Sequence, residues 1–172
     1  MFQKAKESDF RLVRDFYWDL IDEMRSENDK IGWKKGIYPT DLFLKQSLSG
    51  EELYLLTDGG DLCACVILNS AANEGYEGMP WSIGCEAKDI LIPHALAVSP
   101  RMQGQGIGAR LVKEIINVAK AENKKAIRLD ILGTNTAAER LYTKCGFQFV
   151  QAKPLFYEDT GWTEYKMYEL NL

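Results

Sequence analysis

A glycine-rich turn at the start of a predicted helix is the sharpest chemical signal in the sequence. A predicted strand ends at Val98, and three glycines, Gly104, Gly106 and Gly108, then lead into an amphipathic segment. Glycine lets the backbone approach a ligand closely, and the first N–H groups of a helix have no partners within it. Such groups bind anions, so the turn predicts a phosphate or pyrophosphate site.

The spacing of the turn leaves a dinucleotide site as an alternative. Gly104, Gly106 and Ala109 satisfy the pattern G-x-G-x-x-G/A. Asp130 follows about 20 residues later, where that motif places an acidic residue. The context fits poorly, because residues 99–103 separate the strand from the first glycine, whereas a dinucleotide turn follows its strand directly. No Gly-Lys-Ser/Thr is present, which excludes a P-loop.

Two separate stretches resemble one family of enzymes. Residues 103–108, QGQGIG, match Q/R-x-x-G-x-G/A, the pyrophosphate loop of the GNAT superfamily of N-acetyltransferases. Residues 135–147, NTAAERLYTKCGF, resemble that superfamily's segment N-x-x-A-x-x-L-Y-x-x-x-G-F. The close resemblance covers residues 93–150, and residues 33–39 with the following helix resemble one bacterial branch of the superfamily more loosely.

The resemblance implies a fold, a cosubstrate and a set of binding residues. It implies a mixed α/β fold with a central, mostly antiparallel sheet flanked by helices, and acetyl-CoA bound where the central strands splay apart. Residues 1–172 would form a single acetyltransferase domain without a metal. The residues implied in coenzyme binding are Leu96, Ala97, Val98, Gln103, Gly104, Gln105, Gly106, Ile107, Gly108, Ala109, Asn135 and Tyr142. Asn135 is also expected to cap the helix that follows it.

The resemblance further implies that Tyr142 is the general acid that protonates the departing CoA thiolate. A phenol with a pKa of about 10 donates poorly to a thiolate whose acid has a pKa of about 8.5, so this role depends on positioning. Packing in the core is the alternative role of Tyr142. Cys145 has no base beside it in the sequence, which favours direct attack in a ternary complex over an acetyl-cysteine route.

The reaction also needs a base, because an ammonium has no lone pair with which to attack a thioester. Asp130 ends a predicted strand where some members of the superfamily carry a glutamate base, which is one methylene longer. His94 lies on the neighbouring predicted strand and titrates near neutral pH. Glu86 is a third candidate, and each of the three also has an ordinary structural explanation. We expect His94 or Asp130 to act, directly or through water.

The acceptor is the least determined part of the prediction. Trp33, Tyr38 and Trp81 lie on predicted loops and are candidate substrate-binding residues, because loop aromatics wall small-molecule pockets. Core packing explains them equally well. Acidic residues between positions 74 and 89 would attract a cationic amine, or would simply be solvated. We expect a small-molecule primary amine, with a peptide or protein amine and a non-catalytic acyl-CoA-binding module as alternatives.

Hydrophobic periodicity predicts the elements that would position these residues. In the first half it predicts a helix capped by Ser8, a second helix capped by Thr40, and a hairpin turning at residues 58–61. Residues 70–88 are ambiguous, with one strand expected around 81–85. A strand over 90–98, interrupted at Pro93, then leads to the glycine turn. The elements predicted after it are a helix over 104–122, a strand over 126–131, a helix over 135–145, and a final strand pair at 147–150 and 163–170.

Composition bounds the class of protein. The 172 residues are 46% hydrophobic and carry a net charge of −4, which argues against a nucleic-acid binder with a general basic surface. No apolar run approaches the roughly 18 residues of a membrane span, and residues 1–7 lack a secretory apolar region, so we expect a cytoplasmic protein. Four cysteines and one histidine give no metal-site spacing. The final strand pair is a candidate homodimer interface.

Overall fold

The structure, a computed structural model, describes residues 1–24 and 32–172 and is built around a seven-stranded sheet. The strands are β1 (Phe2–Lys4), β2 (Leu53–Asp58), β3 (Asp61–Asn69), β4 (Ile90–Val98), β5 (Ala126–Leu132), β6 (Gln148–Tyr157) and β7 (Gly161–Asn171). The α-helices are α1 (Phe10–Met24), α2 (Asp41–Ser49), α3 (Ile107–Ala121) and α4 (Thr136–Lys144). The predicted mixed α/β fold is confirmed.

The sheet is antiparallel except at its centre. Its strand order is β1-β2-β3-β4-β5-β7-β6, and among these described strands only β4 and β5 run parallel to each other. These two strands pair only from Ile90 to Ala126 and from Leu91 to Ile127. Beyond those pairs they separate, although β4 continues along β3 to Val98 and β5 continues along β7 to Leu132. The expected splaying of the central strands is therefore present.

A bulge at Ala95 redirects β4 where it borders the gap. Cys65 and Ile67 of β3 pair with Ala97 and His94 of β4, so β4 carries one extra residue over this interval. Ala95 has a φ of +49°, a left-handed conformation that is rare for a residue with a side chain. Tyr17 of α1 donates a 2.7 Å hydrogen bond to the Ala95 carbonyl and holds the bulge from below the sheet.

The expected interruption at Pro93 is wrong, because the irregularity lies two residues further along the strand. Pro93 pairs with Leu68 inside the ladder between β3 and β4. Proline is tolerated where a strand has an unpaired side. Leu91 is the last residue of β4 paired with β5, so one side of the strand is already unpaired at Pro93.

The sheet is covered by different helices on its two faces. Leu111, Val112 and Ile115 of α3 pack with Ile127 and other buried residues of the sheet in one core. Helices α1 and α2 cover a second core, which contains the buried residues Val13, Tyr17, Leu20, Leu44, Leu48, Leu53, Leu55, Cys65 and Ile67. A third core lies under the irregular segment between β3 and β4. None of the helices in the described residues is long and apolar enough to cross a membrane.

The helix starts agree only in part with the sequence expectation. Thr40 caps α2 as predicted, with its hydroxyl accepting from the N–H of Phe43 at 3.0 Å. Ser8 does not cap α1, because a turn of 3-10 helix over Glu7–Asp9 precedes it and the Asp9 carboxylate accepts from the N–H of Lys6 at 2.8 Å. The edge strand β1 was not expected from the sequence.

The strand expected around residues 81–85 is absent from the described structure, because side chains form hydrogen bonds with the backbone of this segment. Arg128 and Glu169 form a buried ion pair with a 2.8 Å contact. Glu169 accepts from the N–H of Ser82 at 2.8 Å, and Arg128 donates to the carbonyl of Ile83 at 2.6 Å. The Trp81 ring stacks 4.5 Å from the Arg128 guanidinium. A neighbouring strand is therefore not needed to pair this backbone.

Candidate active site

A cavity of about 510 Å³ fills the gap between the separated strands. Residues 93–96 of β4 and 129–132 of β5 form its two sides. It is lined from both faces of the sheet: Tyr142 on α4 borders it from one face, while Trp33, Tyr38 and Phe43 border it from the face that α1 and α2 cover. A molecule in the cavity would therefore lie between the strands, with its ends on opposite faces of the sheet.

Asp130 points its carboxylate into this cavity within a small hydrogen-bond network. The hydroxyl of Tyr76 donates to Oδ1 at 2.7 Å, and the hydroxyl of Tyr157 donates to Oδ2 at 3.1 Å. Asn73 donates in turn to the Tyr157 oxygen at 2.9 Å. Burial raises the pKa of Asp130, outweighing the two hydroxyl bonds that lower it. A carboxylate with a raised pKa is a better proton acceptor.

Tyr142 faces the same cavity with a hydroxyl that has no protein partner among the described residues. The residue is 5% exposed, and its ring packs against Phe147 at 5.3 Å. Burial and the charge of Asp130 raise its pKa, so the phenol stays protonated at neutral pH. Its O–H is thus available as a donor to a ligand.

His94 is held as a neutral ring at the edge of the cavity. The side-chain amide nitrogen of Asn69 donates to Glu52, and its oxygen accepts from the N–H of Ala71. The same oxygen lies 3.0 Å from Nε2 of His94, so Nε2 must be the donor. This network assigns the Nε2–H tautomer. Burial lowers the pKa of His94 to about 4, which makes the ring a weak base.

The glycine turn lies at the far end of β4, where α3 begins. Gly104 and Gly106 have φ values of +77° and +80°, which glycine adopts without strain. A Cβ at either position would meet no atom within 4 Å, so the turn borders open space. Within the described residues, none of the backbone N–H groups from 104 to 109 donates to another group of the protein. The turn therefore presents a row of unpaired donors at a helix N-terminus, which fits an anion.

Two further residues implied in coenzyme binding have clear local roles. Gly108 allows α3 to approach α4, because a Cβ there would lie 3.1 Å from Cδ2 of Leu141. Asn135 caps α4, accepting from the N–H of Ala138 at 3.1 Å, and it also lines the cavity. The backbone from Leu96 to Val98 connects the cavity to the turn along the side of β4 that faces away from β3, where no strand of the described residues pairs with it.

A row of aromatic rings walls one side of the cavity. Trp33 packs against Tyr38 at 5.7 Å, and Tyr38 packs against Phe43 at the same distance. The Phe43 ring then meets His94 edge-on at 6.5 Å. Trp33 and Tyr38, two of the three aromatic residues singled out from the sequence, therefore reach the cavity. Trp81 does not, because it packs on Tyr76 and Arg128 instead.

The charged residues that line the cavity in the described part of the chain are carboxylates. Asp130, Glu158 and Asp159 border it, and no Lys or Arg among residues 1–24 and 32–172 does so. Glu158 and Asp159 lie in the turn between β6 and β7. Two of the acidic residues noted in the sequence form ion pairs outside the cavity: Glu86 pairs with Lys88, and Asp89 pairs with Lys125, both at 2.7 Å.

The residues that the sequence analysis missed come from the irregular segment and from the last hairpin. Tyr76 belongs to a segment without periodicity, and no sequence signal links it to Asp130. Tyr157, Glu158 and Asp159 precede a Thr-Gly pair that is typical of a tight turn. The sequence therefore carries a signal for that turn, but the position of the turn over the cavity depends on β7 pairing with β5.

The donor set fits acetyl-CoA, an anionic thioester with an amide-bearing arm. The unpaired N–H groups of the turn suit a pyrophosphate, and the unpaired side of β4 suits amides. Among residues 1–24 and 32–172, no cluster of three metal-binding side chains occurs.

Comparison with known proteins gives sequence relatives and structural neighbours of the chain. The sequence model of the acetyltransferase (GNAT) family matches residues 14–147. The chain is 35% identical to N-alpha-acetyltransferase RimI of Mycobacterium tuberculosis over 74 residues, which cover 43% of this chain and 45% of the relative. The chain thus spans less than half of that relative. It is 29% identical over 152 residues to the uncharacterized N-acetyltransferase YesJ of Bacillus subtilis, covering 88% and 81% of the two chains.

A solved structure supports the fold. The structure of yncA from Salmonella typhimurium, solved with its cofactor acetyl-CoA, superposes with a TM-score of 0.72 over 100% of this chain and 93% of its own. The two sequences are 17% identical. At that identity the superposition shows that the two chains share a fold.

Proposed function

The chain belongs to the GNAT acetyltransferase family, whose enzymes are acyltransferases with acetyl-CoA as cosubstrate, and on that premise we propose that it acetylates the primary amine of a small molecule. The acetyl group passes by direct attack within a ternary complex. We propose that residues 1–172 act as one domain in the cytoplasm, as composition led us to expect. The observation that carries the proposal is the cavity, which reaches from Tyr142 to Asp130 and whose described lining contains three carboxylates and no Lys or Arg.

In this proposal the turn and the end of β4 hold the coenzyme. The N–H groups from 104 to 109 bind the pyrophosphate, and the backbone of residues 96–98 bonds the amides of the arm. Asn135 keeps its capping bond and also contacts the coenzyme. Bound acetyl-CoA supplies the thioester carbonyl at the point where β4 and β5 separate.

Asp130 takes the proton from the incoming ammonium. Its raised pKa and its place in the cavity favour it over His94, whose pKa is lowered and whose Nε2–H is engaged with Asn69. The neutral amine then forms the C–N bond as the C–S bond breaks. The nitrogen loses a second proton after the attack, which balances the proton that the thiolate gains.

Tyr142 donates a hydrogen bond to the departing thiolate. Its hydroxyl is buried, protonated and without a protein partner among the described residues, so it can donate to the sulfur. Because its pKa lies above that of a thiol, full proton transfer is uphill, and the hydrogen bond itself stabilises the leaving group.

The test is thiol release from acetyl-CoA in the presence of a panel of primary amines, with mass spectrometry of each amine afterwards. We expect amine-dependent thiol release and a product heavier by one acetyl group. Thiol release without an acetylated amine, or none with any amine, would refute the proposal.

An amine at the end of a peptide is the second candidate acceptor. A groove beside the cavity shares Asn73 and Tyr157 with it and runs past Phe156 and Trp162, which are 60% and 73% exposed. Such a groove fits an extended peptide, and one relative is described as an N-alpha-acetyltransferase. Turnover of short peptides that greatly exceeds that of every small amine, and that Trp162→Ser abolishes, would favour this acceptor.

A further inference from the structure

Asp159 is a buried carboxylate without an ion-pair partner among the described residues. It is 7% exposed and lines the cavity from the turn between β6 and β7. Burial raises the pKa of this carboxyl group, while the nearby backbone N–H groups of Asp159 and Thr160 and the charge of Lys34 lower it in part. No Lys or Arg described in the structure forms a salt bridge with it. Burying a charge in this way is unfavourable unless a cation joins it.

Asp159 and Asp130 belong to two regions of the same cavity. Burial raises the pKa values of Tyr38 and Tyr165, and the charges of both carboxylates add to the increase. A chain of contacts also links them: Tyr157 bonds Asp130, and its ring lies 4.7 Å from that of Tyr165. The hydroxyl of Tyr165 lies 2.8 Å from Oγ1 of Thr160, the residue next to Asp159. Aromatic rings therefore lie between two carboxylates that form no salt bridge with a described residue.

This arrangement matches a molecule with a cation at each end. An alkyl amine has a pKa of about 10.4, so both ends of a linear diamine are charged at neutral pH. Its methylene chain would pack against the rings of Tyr157 and Tyr165. One ammonium would meet Asp130 and the other would meet Asp159, with Tyr38 near both carboxylates.

We propose that the acceptor is a diamine, with one amino group acetylated beside Asp130 and the second bound as an ammonium by Asp159 and Glu158. This inference rests on the proposed function and names the class of its acceptor. The first amino group loses its proton to Asp130, forms the C–N bond and displaces the thiolate. The second amino group keeps its proton and takes no part in bond making.

The experiment compares linear α,ω-diaminoalkanes with 1-aminoalkanes of equal carbon number as acceptors in thiol release. For the wild-type protein we expect kcat/KM to favour the best diamine by about tenfold or more over its matched monoamine, as a charge-assisted hydrogen bond would give. In Asp159→Asn the ratio should fall towards one, through a higher KM for the diamine. Asp61→Asn removes one negative charge from the exposed β2–β3 turn, outside the cavity, and should keep the wild-type ratio.

Glu158→Gln provides a second variant if Asp159→Asn does not fold, because the Glu158 side chain is exposed. It should lower the diamine-to-monoamine ratio in the same direction. Equal kcat/KM for diamine and monoamine in the wild-type protein would overturn the proposal, as would a ratio that neither cavity variant changes.

Calorimetry of the diamine with the CoA-loaded protein separates this inference from the proposed function. If no amine supports thiol release, the proposed function fails. The second-ammonium site still stands if the diamine binds the wild-type protein at least severalfold more tightly than it binds the cavity variants. Equal binding to the wild-type protein and both variants overturns the site as well.

Discussion

The hydroxyl of Tyr76 donates a 2.7 Å hydrogen bond to the carboxylate of Asp130, although 54 residues separate them in the chain. Tyr76 is 6% exposed and comes from the irregular segment between β3 and β4, whereas Asp130 lies in β5. Hydrogen bonds to the charged form of an acid lower its pKa, and burial raises it. The two effects together set the proton affinity of Asp130.

Removing the Tyr76 hydroxyl should make Asp130 a stronger base. In Tyr76→Phe the carboxylate loses one of its two hydroxyl donors, so its pKa should rise. The acid limb of the pH profile of kcat/KM should therefore move to higher pH. Tyr54→Phe alters a buried tyrosine on β2, away from the cavity, and should leave the limb in place. An unmoved limb in Tyr76→Phe would remove Asp130 from the titration that controls turnover.

The raised pKa of Asp130 also predicts how stability depends on pH. A carboxyl group with a higher pKa in the folded state binds protons more tightly there, so its favourable contribution is complete below the unfolded-state pKa. That contribution is lost as the pH rises through the folded-state pKa. In urea unfolding without ligand, Asp130→Asn should therefore gain stability relative to the wild-type protein between pH 4 and neutral pH. A stability difference that does not change with pH would contradict the raised pKa.

Tyr142→Phe should lower turnover without weakening acetyl-CoA binding. The variant keeps the buried ring and removes only the hydroxyl that faces the cavity. General acid or hydrogen-bond assistance of this kind contributes about 10²–10⁴-fold in rate, so kcat should fall by about 10²-fold or more. The dissociation constant of acetyl-CoA, measured by calorimetry, should stay unchanged. Equal turnover in Tyr142→Phe would exclude Tyr142 from the chemical step.

Gly106→Ala tests the coenzyme turn against a matched glycine. Gly106 has a φ of +80° and Gly59 in the β2–β3 turn has a φ of +59°, and a Cβ at either position would meet no atom within 4 Å. Each alanine should cost about 1 kcal/mol of unfolding free energy, because the left-handed conformation strains a residue with a side chain. Only Gly106→Ala should also weaken acetyl-CoA binding in calorimetry. Equal affinity in the two variants would mean that the turn does not hold the coenzyme.

Much of the second half of the chain could be predicted because its signals are local. The bounds of β4, the glycine turn and the cap at Asn135 follow from residues next to one another. The turn of the β2–β3 hairpin and the Thr40 cap of α2 could also be predicted, because their signals are local.

The acceptor side could not be predicted, because long-range pairing builds it. Asp159 reaches the cavity through a hairpin whose inner strand pairs with β5, and periodicity does not reveal strand order. Trp81 was expected to bind substrate but does not reach the cavity, because a buried Arg128–Glu169 ion pair holds its segment elsewhere. An aromatic residue on a loop gives no sign of which surface it will face.

The most direct test of the account is amine-dependent thiol release by the wild-type protein and by Asp130→Asn, with acetyl-CoA affinity measured in parallel. If acetyl transfer takes place in the cavity between β4 and β5, kcat should fall by about 10²-fold or more while the dissociation constant of acetyl-CoA stays the same. Wild-type turnover in Asp130→Asn would contradict the assignment of the base and of this cavity as the place of reaction.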